Sequence, residues 1–68
     1  MRVVHVRVSE ADFGGALKAM RKWLDHKNCV LEQFETETDE GAIMIKAQFA
    51  EDDLAEQFRL QFRGNYGD

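Results

Sequence analysis

The chain has 68 residues, 44% of them apolar and 32% charged, with a formal net charge of −4. That length allows one small domain and excludes a two-domain enzyme, a repeat array and a long coiled coil. No stretch approaches the roughly 20 apolar residues of a membrane span, and the apolar residues are patterned in a way that disordered chains are not.

The first strand is expected at 2–8. Val4, Val6 and Val8 share one face, and Val3, His5 and Arg7 the other. Ser9 follows as a helix N-cap, with Asp12 three residues on as a short-armed capping box. Val8 and Phe13 are placed for a hydrophobic staple. The helix is expected over 9–27, with Phe13, Leu17, Met20 and Leu24 in one stripe and Ala16 and Trp23 on its shoulder. Lys18, Arg21 and Lys22 lie on the opposite side. Asn28 suits the left-handed position after the helix end. Gly14 and Gly15 are anomalous, since each costs roughly 0.8–1 kcal/mol against alanine inside a helix.

A second strand is expected at 30–38, with Val30, Phe34 and Thr36 sharing one face with Glu32. Leu31, Gln33, Glu35 and Glu37 occupy its other face. Asp39-Glu40-Gly41 reads as a hairpin turn. The third strand, 42–49, turns Ile43, Ile45, Ala47 and Phe49 inward and Met44, Lys46 and Gln48 outward. A last helix is expected over 51–63, with Leu54, Phe58 and Phe62 as its apolar stripe, Leu60 exposed on the far side and Gly64 as its stop. Residues 64–68 are expected to fray.

Strand, helix, hairpin, helix on one sheet is an α+β arrangement. A right-handed crossover makes strands 1 and 2 parallel and leaves strand 3 between them, in spatial order 1-3-2 with both helices on one face. This resembles a ferredoxin-like, two-layer α/β plait lacking its last strand, as a single domain over 1–68. The open edge of strand 1 is then valine-rich and poorly protected, which invites pairing. A core this small supplies only about 3–5 kcal/mol, and Cys29, being alone, forms no internal disulfide. A homodimer joined strand 1 to strand 1 is therefore expected. The alternative is a monomer whose C-terminal tail covers that edge. The lone cysteine, and an N-terminus without a signal-peptide pattern, point to a cytoplasmic location.

The chemistry-bearing residues are few. His26-x-x-Cys29 has ligand spacing and His5 adds a third candidate, but a structural zinc site needs four ligands, so no metal and no cofactor is expected. The acidic run Glu32, Glu35, Glu37, Asp39 and Glu40 reads as a solvated rim rather than a catalytic carboxylate pair. A Cys29–His26 pair lacks an orienting third group. Gly14-Gly15 fits no phosphate-loop pattern. No catalytic residue is assigned, and the chain is expected to be a non-enzymatic protein-interaction or regulatory module.

Its candidate partner-contact residues are Val3, His5, Arg7, Met44, Lys46 and Gln48 on the uncovered sheet face, with Trp23 and Leu60. Besides itself, the partner is expected to be another protein. The alternative is a small nucleic-acid-binding protein using Lys18, Arg21, Lys22 and Lys46. Against it stand the acidic balance and the lack of base-stacking aromatics on the sheet. Charge is divided along the chain. Residues 1–28 carry six bases against three acids, and residues 29–68 carry three bases against ten acids.

Overall fold

A computed structural model describes residues 2–28 and 31–67. The expectations for Cys29 and Val30 lie outside those residues. Six elements follow one another: β1 (Arg2–Ser9), α1 (Glu10–His26), β2 (Gln33–Asp39), β3 (Ala42–Phe49), α2 (Asp52–Phe62) and β4 (Asn65–Tyr66). The class is α+β, two helices on an open, antiparallel four-stranded sheet of order β2-β3-β1-β4.

Local chemistry sets most boundaries. Ser9 is extended, and its Oγ accepts the Asp12 N–H at 3.3 Å. The same hydroxyl donates to the Asp12 carboxylate at 3.0 Å, so this short acid answers the cap through its side chain. The Glu10 N–H donates to the Gly41 carbonyl at 3.2 Å and ties the helix start to the hairpin. At the other end Asn28 takes the left-handed conformation (φ 54°) and its N–H reaches the Asp25 carbonyl. Glu40 and Gly41 are both left-handed (φ 43° and 81°), the pair of angles that a two-residue turn needs to match the strand twist.

β1 and β3 pair over their full length, from Arg2 opposite Phe49 to Ser9 opposite Ala42. The period of two puts Val4 and Val6 on the same side as Ile45, Ala47 and Phe49. Met20 of α1 and Ala55 and Phe58 of α2 close over them, and these eight residues are the buried core. Phe58 sits among three rings, its centroid 5.1 Å from Phe49, 4.7 Å from Phe62 and 5.5 Å from Trp23.

The sequence expectation fails at the C-terminus. The sheet has four strands, not three, and the tail expected to fray supplies the fourth. Asn65 pairs with His5 and Tyr66 with Val4. The left-handed residue that ends α2 is Arg63 (φ 54°), not Gly64. Gly64 is needed for a different reason. A Cβ there would lie 2.8 Å from the His5 carbonyl oxygen and 2.9 Å from the Val4 and Val6 side chains, so only glycine lets the chain pass this close to β1. Tyr66 is then held between two guanidinium groups, Arg2 at 3.6 Å and Arg59 at 5.0 Å from the ring centroid. The Gly67 N–H donates to the Val3 carbonyl at 2.8 Å. Replacing Tyr66→Ala is expected to cost about 1 kcal/mol in cation–π attraction and to release β4 locally. Amide hydrogen exchange checks this: Gly67 should lose its protection while Ile45 keeps it, and unchanged protection at Gly67 would show that Tyr66 is not the anchor.

The second departure concerns β2. It begins at Gln33, although the expected strand already included 31 and 32, and its register puts Phe34 and Thr36 on the helix side, opposite Ala47 and Ile45. Yet every residue from Gln33 to Asp39 is exposed, and Phe34 retains 38% of its surface. The helices concentrate their packing on β1 and β3, so an inward direction on β2 does not bring burial.

Candidate functional site

The face of the sheet opposite the helices gathers six of the expected contact residues. Val3 lies opposite Gln48, His5 opposite Lys46 and Arg7 opposite Met44. The adjoining strand adds Gln33, Glu35 and Glu37 to the same face, beside Gln48, Lys46 and Met44. Lys46 Nζ reaches Glu37 Oε1 at 2.8 Å. The hydrogen bond from Lys46, and then its charge, hold the Glu37 carboxyl below its ordinary pKa. The Gln33 amide donates to Glu35. The cations of this face, Arg7 and Lys46, are thus offset by Glu35 and Glu37, whose lateral position depends on strand register. A shallow hollow of about 130 Å³ remains, lined by Val3, Gln33, Glu35, Lys46 and Gln48. His5 is partly covered by the tail, since a Cβ on Gly67 would fall 2.1 Å from its ring.

Trp23 and Leu60 belong to the helix layer, on the other side of the sheet. The Trp23 indole meets Phe58 and Phe62 edge-on, at 72° and 77°, with the Lys27 ammonium 5.8 Å from its ring. It caps one end of the core. Leu60 is 64% exposed, as its place on the helical wheel requires. Lys18, Arg21 and Lys22 are exposed on α1, and Lys46 lies on the opposite side of the sheet. The nucleic-acid set is therefore split between two surfaces. Among the described residues no group of three or more His, Cys, Asp or Glu could hold a metal ion. Gly14 and Gly15 face open space, with nothing within 4 Å of where a Cβ would stand.

A surface that the sequence did not single out lies between α1 and β2. Leu17, Met20, Arg21 and Leu24 form one wall, Leu31 and Phe34 the other, around an open trough of about 340 Å³. Leu17 and Leu24 belong to the core stripe of α1 but are only half-buried, because β2 does not rise to meet them. One signal was present in the sequence: within 32–40 Phe34 is the lone large apolar residue among five acids. Such a strand is poorly equipped to hold a helix over itself.

No family model, no curated protein and no solved structure matches the chain. Among the described residues no helix is long and apolar enough to cross a membrane.

Proposed function

We propose that this chain is a cytoplasmic, non-enzymatic protein-interaction module built on a ferredoxin-like plait whose last strand is two residues long. The order β2-β3-β1-β4, with both helices on one face, supports that fold reading. The observation that carries the function is β2. It is an edge strand exposed over its whole length, beside an apolar trough that, among the described residues, no other element fills. An edge of this kind presents a row of backbone donors and acceptors for pairing, and natural domains normally blunt it.

The two sheet edges differ. β4 closes β1 at Val4 and His5, so a second copy pairing along β1 has only Val6–Ser9 to use unless β4 is displaced. Among the described residues β2 has no such cover. Binding through β2 is therefore the better supported mode, and the homodimer through β1 the weaker one. The nucleic-acid reading is weaker still, because its cations do not converge and Lys46 is engaged by Glu37.

The test compares the tagged wild-type protein with Glu35→Lys, which reverses charge on the exposed edge and leaves the core untouched. In lysate of the native cell, the wild type should retain a protein that the variant loses, with both showing the same thermal melt. Equal retention, or none above a tag-only control, would overturn the reading.

A further inference from the structure

We propose that β2 accepts, as a fifth strand, an extended segment of another protein in which basic and apolar residues alternate. This rests on the interaction-module reading and specifies the chemistry of its partner.

The argument starts from the two faces of β2. Gln33, Glu35, Glu37 and Asp39 point to the open side of the sheet, and Phe34, Thr36 and Thr38 to the helix side. A strand added beside β2 alternates in the same way. Its residues on the open side stand next to the acids, and those on the helix side stand next to Phe34 and over the trough of Leu17, Leu24 and Leu31. The segment 32–40 carries five acids and no base of its own, and Lys46 meets one of them, Glu37. A lysine or arginine at every second position meets this charge, and apolar residues between them fill the trough. Main-chain bonds then supply affinity and the alternation supplies specificity, as in other cases of strand addition.

The same charge argues against a second copy as the occupant. Antiparallel self-pairing of β2 about Thr36 would set Glu35 of one copy against Glu37 of the other, twice, and like charges directly opposite on a sheet are destabilising. An acidic edge that repels itself selects a basic partner.

The probe is a blocked nonapeptide of alternating lysine and valine. It is compared with the same composition arranged as a lysine block and a valine block, and with alternating glutamate and valine. The binding is followed by amide and methyl chemical shifts of the full chain. The alternating lysine peptide should bind saturably, with Kd below about 1 mM. Shifts should centre on the amides of Gln33–Asp39 and the methyls of Leu17, Leu24 and Leu31. The block and glutamate peptides should bind at least about tenfold more weakly. Glu35→Gln with Asp39→Asn, two exposed changes, should weaken the alternating peptide by about twofold to thirtyfold, the range that exposed ion pairs allow. Phe34→Ser should weaken it too, with the urea midpoint reporting that the fold is intact. Equal binding of the block peptide, shifts confined to acidic side chains without the β2 amides, or no binding of any peptide would each overturn the proposal. In those cases the Glu35→Lys capture comparison still decides whether the module binds a partner at all, so the two failures are separable.

Discussion

Replacing Phe58→Ala is expected to unfold the protein at room temperature. Phe58 is fully buried and is the ring on which Trp23, Phe49 and Phe62 converge. Truncating a buried phenylalanine costs about 3–5 kcal/mol, because the lost transfer energy adds to the cavity left behind. That loss equals the whole margin of about 3–5 kcal/mol that a single core of this size supplies. It also removes one of the two ring contacts between α2 and Trp23 of α1, leaving only the more distant one from Phe62. Leu60→Ala is the control on the same helix. Leu60 is 64% exposed, and surface changes of this type stay within about ±0.5 kcal/mol. Circular dichroism melts of the two variants check the pair. A cooperative melt in Phe58→Ala near the wild-type midpoint would show that the stability of this fold does not reside in the aromatic cluster.

What the sequence disclosed, and what it hid, follow from the range of the interactions involved. β3 spans the expected 42–49 because strict alternation and flanking turn residues act locally. Ser9 and Asn28 declared the ends of α1 for the same reason, since cap and left-handed stop are decided within four residues. A tail over the β1 edge was the alternative to a dimer, but that the tail forms a strand was hidden, because two residues carry no periodicity. Its position depends on Arg2 and Arg59, which become neighbours of Tyr66 only after folding. Gly64 reads in sequence only as a left-handed stop; Arg63 takes that role, and the close approach to β1 that needs Gly64 exists only once the chain is folded. That Phe34 and Thr36 share a face was legible from alternation, but which face meets the helices, and how far it is buried, was not. Burial requires a helix above it, and the lateral placement of a helix on a sheet is a tertiary property. The electrostatics of the open face were hidden likewise. Lys46 and Glu37 look unrelated in sequence until register puts their strands side by side.

The double substitution Gly14→Ala, Gly15→Ala is expected to stabilise the protein strongly. Both glycines lie inside α1, are exposed, and have no atom within 4 Å of a would-be Cβ. Neither adopts the left-handed backbone that alanine resists. The folded chain therefore gains nothing from their missing side chains, while each adds conformational entropy to the unfolded state. At about 0.8–1 kcal/mol per site the pair should contribute close to 2 kcal/mol. For a domain of this length that corresponds to a rise in Tm of roughly 6–16 °C. Calorimetry of the isolated protein reads it directly. A clear rise, with the lysine–valine peptide still bound equally well, would separate these glycines from the β2 edge. A fall in Tm would mean that the first turns of α1 need a freedom that alanine removes.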